Sequence, residues 1–243
     1  MNHFKLLKEI EYLYEDDDLI VVSKPSGLLS IADRYKTLAN LKDVLLLKNE
    51  AIYTVHRLDK DTSGVMVFAK NEETHKFLNK QFANREVEKI YWAFVQNTPE
   101  IESGMIDMPI LNDIRKSGKM HVSKDGKPAQ TMFKILENYG NICLMAFSPI
   151  TGRTHQIRVH SKYMGCPLLI DSLYANKSEF FLSTIKRKYQ SGEYEDEKPF
   201  IHRLTLHAKS IKFKLPNGET KFIESELPKD LKALKNQLDK LLK

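Results

Sequence analysis

The stretch Thr54 to Lys70, TVHRLDKDTSGVMVFAK, constrains the fold more than any other part of this chain. Its second half is a short apolar run after Gly64, with Val65 and Val67 facing one way and Met66 and Phe68 the other, as a buried strand requires. Its first half sets His56, Arg57, Asp59, Lys60 and Asp61 among Ile52, Val55 and Leu58. Charges held against a core cost free energy unless each finds a partner, and such local rule-breaking marks candidate sites.

Elements around this stretch can be read in order. Leu19 to Ser23 predicts a strand that ends in the turn Lys24-Pro25-Ser26-Gly27. Thr37 to Lys48 predicts a helix, and Asn71 is placed to cap another that buries Phe77, Leu78 and Phe82. Lys89 to Val95 reads as a strand with Tyr91 and Ala93 on one face and Trp92 and Phe94 on the other. Gln96 to Gly118 reads as loop. Two hairpins follow from turn chemistry, one around Asn138-Tyr139-Gly140 and one at Pro216-Asn217-Gly218. Thr154 is the expected cap of a helix to Met164, Ser178 to Lys188 is expected to be helical, and Tyr189 to Pro199 an acidic loop. Pro228 to Leu242 carries leucines 231, 234, 238 and 241 on one stripe, as a docked amphipathic helix does. No linker splits the chain, and a single domain with a core over about residues 15–225 and a C-terminal helix at 228–242 is expected.

Charge narrows the choice of partner. A net charge of +6 is a mild bias, but Asn112 to Lys134 holds six Lys or Arg against two Asp, and Ile150 to Lys188 seven against Asp171 and Glu179. A basic stripe of this kind suits a polyanion. Evenly solvated charge with no partner is the plainer alternative. Cys143 and Cys166 have no CxxC spacing, so neither a disulfide framework nor a zinc site is implied. The N-terminal residues are broken by charges, unlike a secretory leader, and a cytoplasmic protein without membrane association is expected.

Three residues carry the chemistry. Asp59 must be protonated or paired if buried. In TGRTHQIRVH, residues 151–160, helical spacing puts His155, Arg158 and Lys162 on one face, and Arg158 can hold a carboxylate at two points and keep it ionised. Tyr91 can present its ring to a flat substrate. Spacing alone leaves Asp59 with Arg158 open between a structural and a catalytic pair, and Tyr91 open between core and site. The histidines show no metal-ligand spacing, Asp59 and Asp61 make a poor glycosidase pair, and Gly126-Lys127-Pro128 lacks the rest of a phosphate-binding loop.

The blocks KPSG at 24–27, HRLDKDTSG at 56–64, KIYWA at 89–93, GKPAQT at 126–131 and TGRTHQIRVH at 151–160 together resemble the RluA-type family of RNA pseudouridine synthases, in order and spacing over about residues 15–225. The resemblance implies an α+β pseudouridine synthase fold with a mixed, largely antiparallel central sheet flanked by helices, and an active site in a basic cleft. It implies isomerisation of uridine in structured RNA, a ribosomal or transfer RNA stem-loop, by a monomer with no metal or organic cofactor. Asp59 matches the family's essential aspartate, Tyr91 its active-site tyrosine and Arg158 the arginine paired with that aspartate. Arg57 matches a residue that helps open the RNA. His56, Lys89, Arg153, His155 and Lys162 are further candidates for RNA contact. Many relatives carry an N-terminal S4-like module; too few residues precede the matching region for one to be expected here. A non-catalytic RNA-binding protein and an N-glycoside hydrolase are the competing classes.

Overall fold

The computed structural model describes residues 3–33, 38–114, 118–186 and 197–242. In chain order the elements are α1 (His3–Glu9), β1 (Glu11–Glu15), β2 (Leu19–Lys24), α2 (Leu41–Leu45), β3 (Tyr53–Thr54), β4 (Ser63–Ala69), α3 (Glu72–Ala83), β5 (Glu88–Gln96), β6 (Ser103–Asp107), β7 (Ile110–Asn112), β8 (Met120–Val122), β9 (Gln130–Asn138), β10 (Ile142–Pro149), α4 (Gln156–Tyr163), a 3-10 turn (Leu182–Thr184), β11 (Leu206–Lys214), β12 (Thr220–Glu224) and α5 (Lys229–Leu242). Two compact units divide them: residues 1–91 with 207–226, and residues 92–206 with 227–243. Two of the three boundaries fall inside β5 and β11, and the third falls between β12 and α5.

In the first unit β4 is the central strand, buried along its whole length. β2 lies antiparallel along one edge, from Leu19 opposite Ala69 to Lys24 opposite Gly64. The other edge is shared: β11 runs parallel to it at Ser63 and Gly64, and β3 pairs antiparallel at Phe68 and Ala69. β1 extends the sheet beyond β2, and β12 forms a hairpin with β11. Gly64 is obligatory where β11 comes closest. Its φ is +115°, and a Cβ there would stand 2.2 Å from the Ala208 carbonyl oxygen. α3 is capped by Asn71, whose Oδ1 accepts the Thr74 N–H at 2.9 Å, and buries Leu78 with Phe77 and Phe82 half-covered.

In the second unit the strand order is β5-β10-β9-β6, with β9 and β10 joined by the expected hairpin and β6 antiparallel to β9. β7 and β8 form a separate two-stranded ribbon. α5 buries Leu231, Leu234 and Leu238 in a core with Phe94, Ile142, Leu144 and Phe180, and Arg203 grips its first turn through both oxygens of Asp230 at 2.6 and 2.8 Å. All strand pairings described here are antiparallel except β4 with β11, so the fold is α+β with mixed, largely antiparallel sheet.

Four expectations are corrected. The helix expected over 37–48 is the single turn α2, because Asn40 accepts the Asp43 N–H at 3.0 Å and starts it late; Thr37 lies outside the described residues. The segment 96–118, of which residues 115–117 lie outside the described residues, is not all loop: it holds β6 and β7, and β6 is an edge strand, exposed at Ser103, Met105 and Asp107, whose polar and small residues hid the alternation. The helix expected from Ser178 is only a 3-10 turn. Phe180 is drawn into extended pairing, its N–H donating to the Ile201 carbonyl at 2.8 Å and its carbonyl accepting from Phe200 at 2.8 Å. Arg187, Lys188 and residues 189–196 of the expected acidic loop lie outside the described residues. Finally, the cap of α4 is His155 rather than Thr154, as taken up below.

Candidate active site

Asp59 sits half-buried on the loop between β3 and β4, and hydrogen bonds from another loop fix that segment on both sides of it. Before it, Leu58 is held at both ends by Ser30: its N–H donates to Ser30 Oγ at 3.0 Å and its carbonyl accepts from that hydroxyl at 2.7 Å. After it, the Lys60 carbonyl accepts from the Lys24 ammonium at 2.9 Å and from the Gly27 N–H at 3.0 Å, and Ser26 Oγ donates to the Asp61 carbonyl at 2.7 Å. Lys24 is wholly buried, and its ammonium also donates to the carbonyls of Leu28 at 2.7 Å and Pro25 at 3.0 Å. A cation in that position is tolerable because it is ringed by carbonyl oxygens. The KPSG turn is therefore the clamp that sets where the Asp59 backbone lies.

Tyr91 is half-buried against the first core, within electrostatic reach of Asp59. Burial first and the Asp59 charge second push its phenol well above the ordinary value, so it is a neutral O–H at working pH. His56 and Lys89 form a neighbouring group. The His56 ring stacks on Phe82 with centroids 4.9 Å apart, and the Lys89 ammonium stands 6.0 Å from the same Phe82 ring. His56 Nε2 accepts the Val67 N–H at 3.0 Å. That amide belongs to the stretch of β4 reached by neither β11 nor β3, so the imidazole completes a gap in the ladder. An acceptor Nε2 requires the neutral ring with its proton on Nδ1. Burial, with Lys89 adding to it, accordingly pulls the His56 pKa down to about 3. Lys89 is likewise lowered by burial. Arg57 and Lys60 are exposed.

In the second unit the TGRTHQIRVH block divides into scaffold and candidate site. Gln156 spends its whole amide: Oε1 accepts from Thr151 Oγ1 at 2.7 Å and the Arg153 N–H at 2.9 Å, and Nε2 donates to the Gln130 carbonyl at 2.9 Å and Thr131 Oγ1 at 2.8 Å. His160 lies between Thr131 Oγ1 and the Met108 carbonyl, 2.9 Å from each. Arg153 Nε donates to the Pro128 carbonyl at 3.0 Å. His155 occupies the cap with φ of 55°, a left-handed conformation unusual for a residue with a side chain, and its Nδ1 lies 2.9 Å from the Tyr174 hydroxyl. Arg158 is buried and makes its two-point grip with Asp171, Nε to Oδ2 at 2.8 Å and Nη2 to Oδ1 at 2.9 Å, over the face of Tyr174 at 5.0 Å. Lys162, one turn further along, is exposed. Among the described residues no cluster of His, Cys, Asp or Glu is arranged to hold a metal ion, and no helix is long and apolar enough to cross a membrane.

A family model described as RNA pseudouridylate synthase matches residues 18–163, which takes in the Asp59 loop, Tyr91 and Arg158. The chain belongs to the RNA pseudouridylate synthase family. It is an RNA pseudouridine synthase, an isomerase. It is similar to the ribosomal large subunit pseudouridine synthase C of Yersinia pestis, 36% identical over 90% of this chain and 66% of that protein. It is also similar to that of Escherichia coli, 35% identical over 93% of this chain and 69% of that protein. The chain thus spans about two thirds of the length of these relatives. Among solved structures, human RNA pseudouridylate synthase domain containing 4 superposes with a TM-score of 0.77 at 28% identity, covering 98% of this chain and 97% of that one. Human RNA pseudouridylate synthase domain containing 1 shares the fold, with a TM-score of 0.68 at 21% identity over 96% of each chain.

Within this pseudouridine synthase, the sequence reading gave no role to Lys24, Asp171 or Tyr174. Lys24 lies inside a quoted motif but looks like any turn lysine, and only its burial reveals the clamp. Asp171 did carry a signal. It closes the apolar run Leu168-Leu169-Ile170, the same setting of a charge against core that singles out Asp59.

Proposed function

We propose that this enzyme converts a uridine of large-subunit ribosomal RNA to pseudouridine, with Asp59 as the reacting carboxylate. The observation that carries the reading is the clamp on Leu58, Lys60 and Asp61, which fixes the backbone around a half-buried aspartate whose charge reaches Tyr91. Pre-set geometry of this kind is what a group acting on a bond within a bound nucleotide needs. The relatives' names supply the ribosomal substrate.

In the isomerisation the bond from ribose C1′ to uracil N1 breaks, the base turns in the pocket, and C1′ rejoins at C5. The proton leaving C5 is balanced by one gained at N1. Asp59 drives the cleavage, by attack or by stabilising the charge that develops. Tyr91, a neutral phenol, packs on the base and is able to donate but not to act as a phenolate. Arg158, itself gripped by Asp171, is the cation that its motif pairs with the reacting carboxylate. Arg57, exposed on the loop that carries Asp59, helps hold the target nucleotide out of its stack at a cost of about a few kcal/mol, which RNA contacts from Lys89, Arg153, His155 and Lys162 offset, with His56 contributing as a neutral ring.

The test is incubation with large-subunit rRNA and, separately, with tRNA transcripts, followed by nucleoside analysis. Pseudouridine in the ribosomal transcript, lost in Asp59→Ala while RNA binding persists, is the expected result. Pseudouridine only in tRNA would move the substrate, free uracil would indicate a hydrolase, and binding without conversion by the unaltered protein would indicate a non-catalytic module.

A further inference from the structure

Tyr174 stands outside every motif used so far, yet it touches Met120, His155, Arg158 and Lys119 at once. It is 3% exposed. Its hydroxyl accepts the Met120 N–H at 2.9 Å, which ties it to β8, and lies 2.9 Å from His155 Nδ1, the left-handed cap of α4. Its ring carries the Arg158 guanidinium at 5.0 Å and the Lys119 ammonium at 5.7 Å. Its own N–H and that of Leu173 donate to Asp171 Oδ1, the oxygen that also takes Arg158 Nη2. The ribbon of β7 and β8 leads into a segment with exposed Lys124 and Lys127, and Gly126 is packed so closely on Ile110 that a Cβ would fall 2.6 Å from its carbonyl carbon. The ribbon and this basic segment are also joined by paired Ile110–Lys127 backbone hydrogen bonds at 2.9 Å, and Tyr174 is the bolt between them and Arg158.

We infer that Tyr174 is a positioning residue of the isomerase, its ring seating the Arg158 guanidinium and its hydroxyl fixing β8, and with it the basic segment that follows, against the start of α4. The inference rests on the proposed reading of Arg158 and of RNA as substrate. The two halves of the side chain serve different steps. The hydroxyl acts on RNA grip, through lysines whose phosphate contacts dominate affinity. The ring acts on the chemical step, through the orientation of the arginine.

Tyr174→Phe keeps the ring and removes the hydroxyl; Tyr174→Leu removes both. For Tyr174→Phe the expected result is a loss of about five-fold in kcat/KM carried by KM, with faster hydrogen exchange at the Met120 amide. For Tyr174→Leu, kcat itself is expected to fall by about ten-fold or more. Identical kcat and KM in the two variants, or unchanged Met120 exchange in Tyr174→Phe, overturns the inference, since a residue that merely fills space does not separate binding from turnover. Should the unaltered protein form no pseudouridine on any RNA, the functional reading fails by itself. Met120 exchange and RNA affinity in Tyr174→Phe then still decide the Tyr174 assignment, unchanged values counting against it.

Discussion

The Lys24 ammonium donates to the Lys60 carbonyl at 2.9 Å, and Lys60 is the residue that follows Asp59. Two chain segments that are 36 residues apart are thus joined at a cation rather than at an apolar contact. A methionine at 24 would fill similar space but leave the carbonyls of Leu28 and Lys60 without that donor. Lys24→Met is expected to cost on the order of 3 kcal/mol in denaturant unfolding. Turnover should fall further than the folded fraction does, because the loop bearing Asp59 loses its fixed position. An equal fall in the two would show that the clamp serves stability alone.

Gly64 supplies the second prediction. The close parallel approach of β11 leaves no room for a methyl group, the obstacle is backbone, and φ is +115°. Gly64→Ala is expected to cost about 3 to 5 kcal/mol, summing steric overlap and left-handed strain. Gly27 offers a control of the same chemistry with open space around it, φ of +84° and strain as its only penalty. Gly27→Ala should cost about 1 kcal/mol. Comparing the two unfolding midpoints separates close packing from backbone conformation.

Much of this was legible in the sequence for one physical reason: strands and helices that bury an apolar face announce their period. β2, β4, α3, the two hairpins and α5 all do so. β6 and the residues around Phe180 do not. β6 is an edge strand whose exposed side needs no pattern, and Phe180 pairs with Ile201, a partner that local propensity cannot see. At the candidate site Asp59, the proposed reacting residue, was visible as a charge set against core, whereas its supports were not. Lys24 and Tyr174 act through where the fold delivers them, and the partner that grips Arg158 at two points is Asp171, thirteen residues along the same chain.

His56 makes the pH dependence specific. Its folded pKa, about 3, lies below the ordinary 6.5, so the unfolded chain takes up the proton first as pH falls. The stability that the neutral ring contributes is complete above about 6.5 and is lost progressively as pH drops from there toward 3. His56→Gln can offer an amide oxygen to the Val67 N–H but does not titrate. The variant should be less stable at neutral pH, having lost the stack on Phe82, and its unfolding free energy should fall less steeply between pH 6.5 and 3. Parallel stability curves for the two proteins over that range would remove His56 as the source of the dependence.

Asp171→Asn tests how Arg158 is held. Asp171 Oδ1 receives three donors, the N–H groups of Leu173 and Tyr174 and Arg158 Nη2, while Oδ2 receives Arg158 Nε. An asparagine keeps the three donors satisfied only by placing its oxygen where Oδ1 stands. Its NH2 group then faces Arg158 Nε–H, donor against donor, and flipping the amide only moves the clash to the backbone groups. Asp171→Asn is therefore expected to destabilise the protein by about 3 kcal/mol despite its near-identical shape, read from denaturant unfolding. Arg158→Lys keeps the charge but cannot reach both oxygens from one planar group, so it should cost less stability than Asp171→Asn while lowering turnover by about ten-fold or more. A lysine variant that matches the arginine in turnover would mean that the site needs the charge of residue 158 and not the plane in which Asp171 sets it.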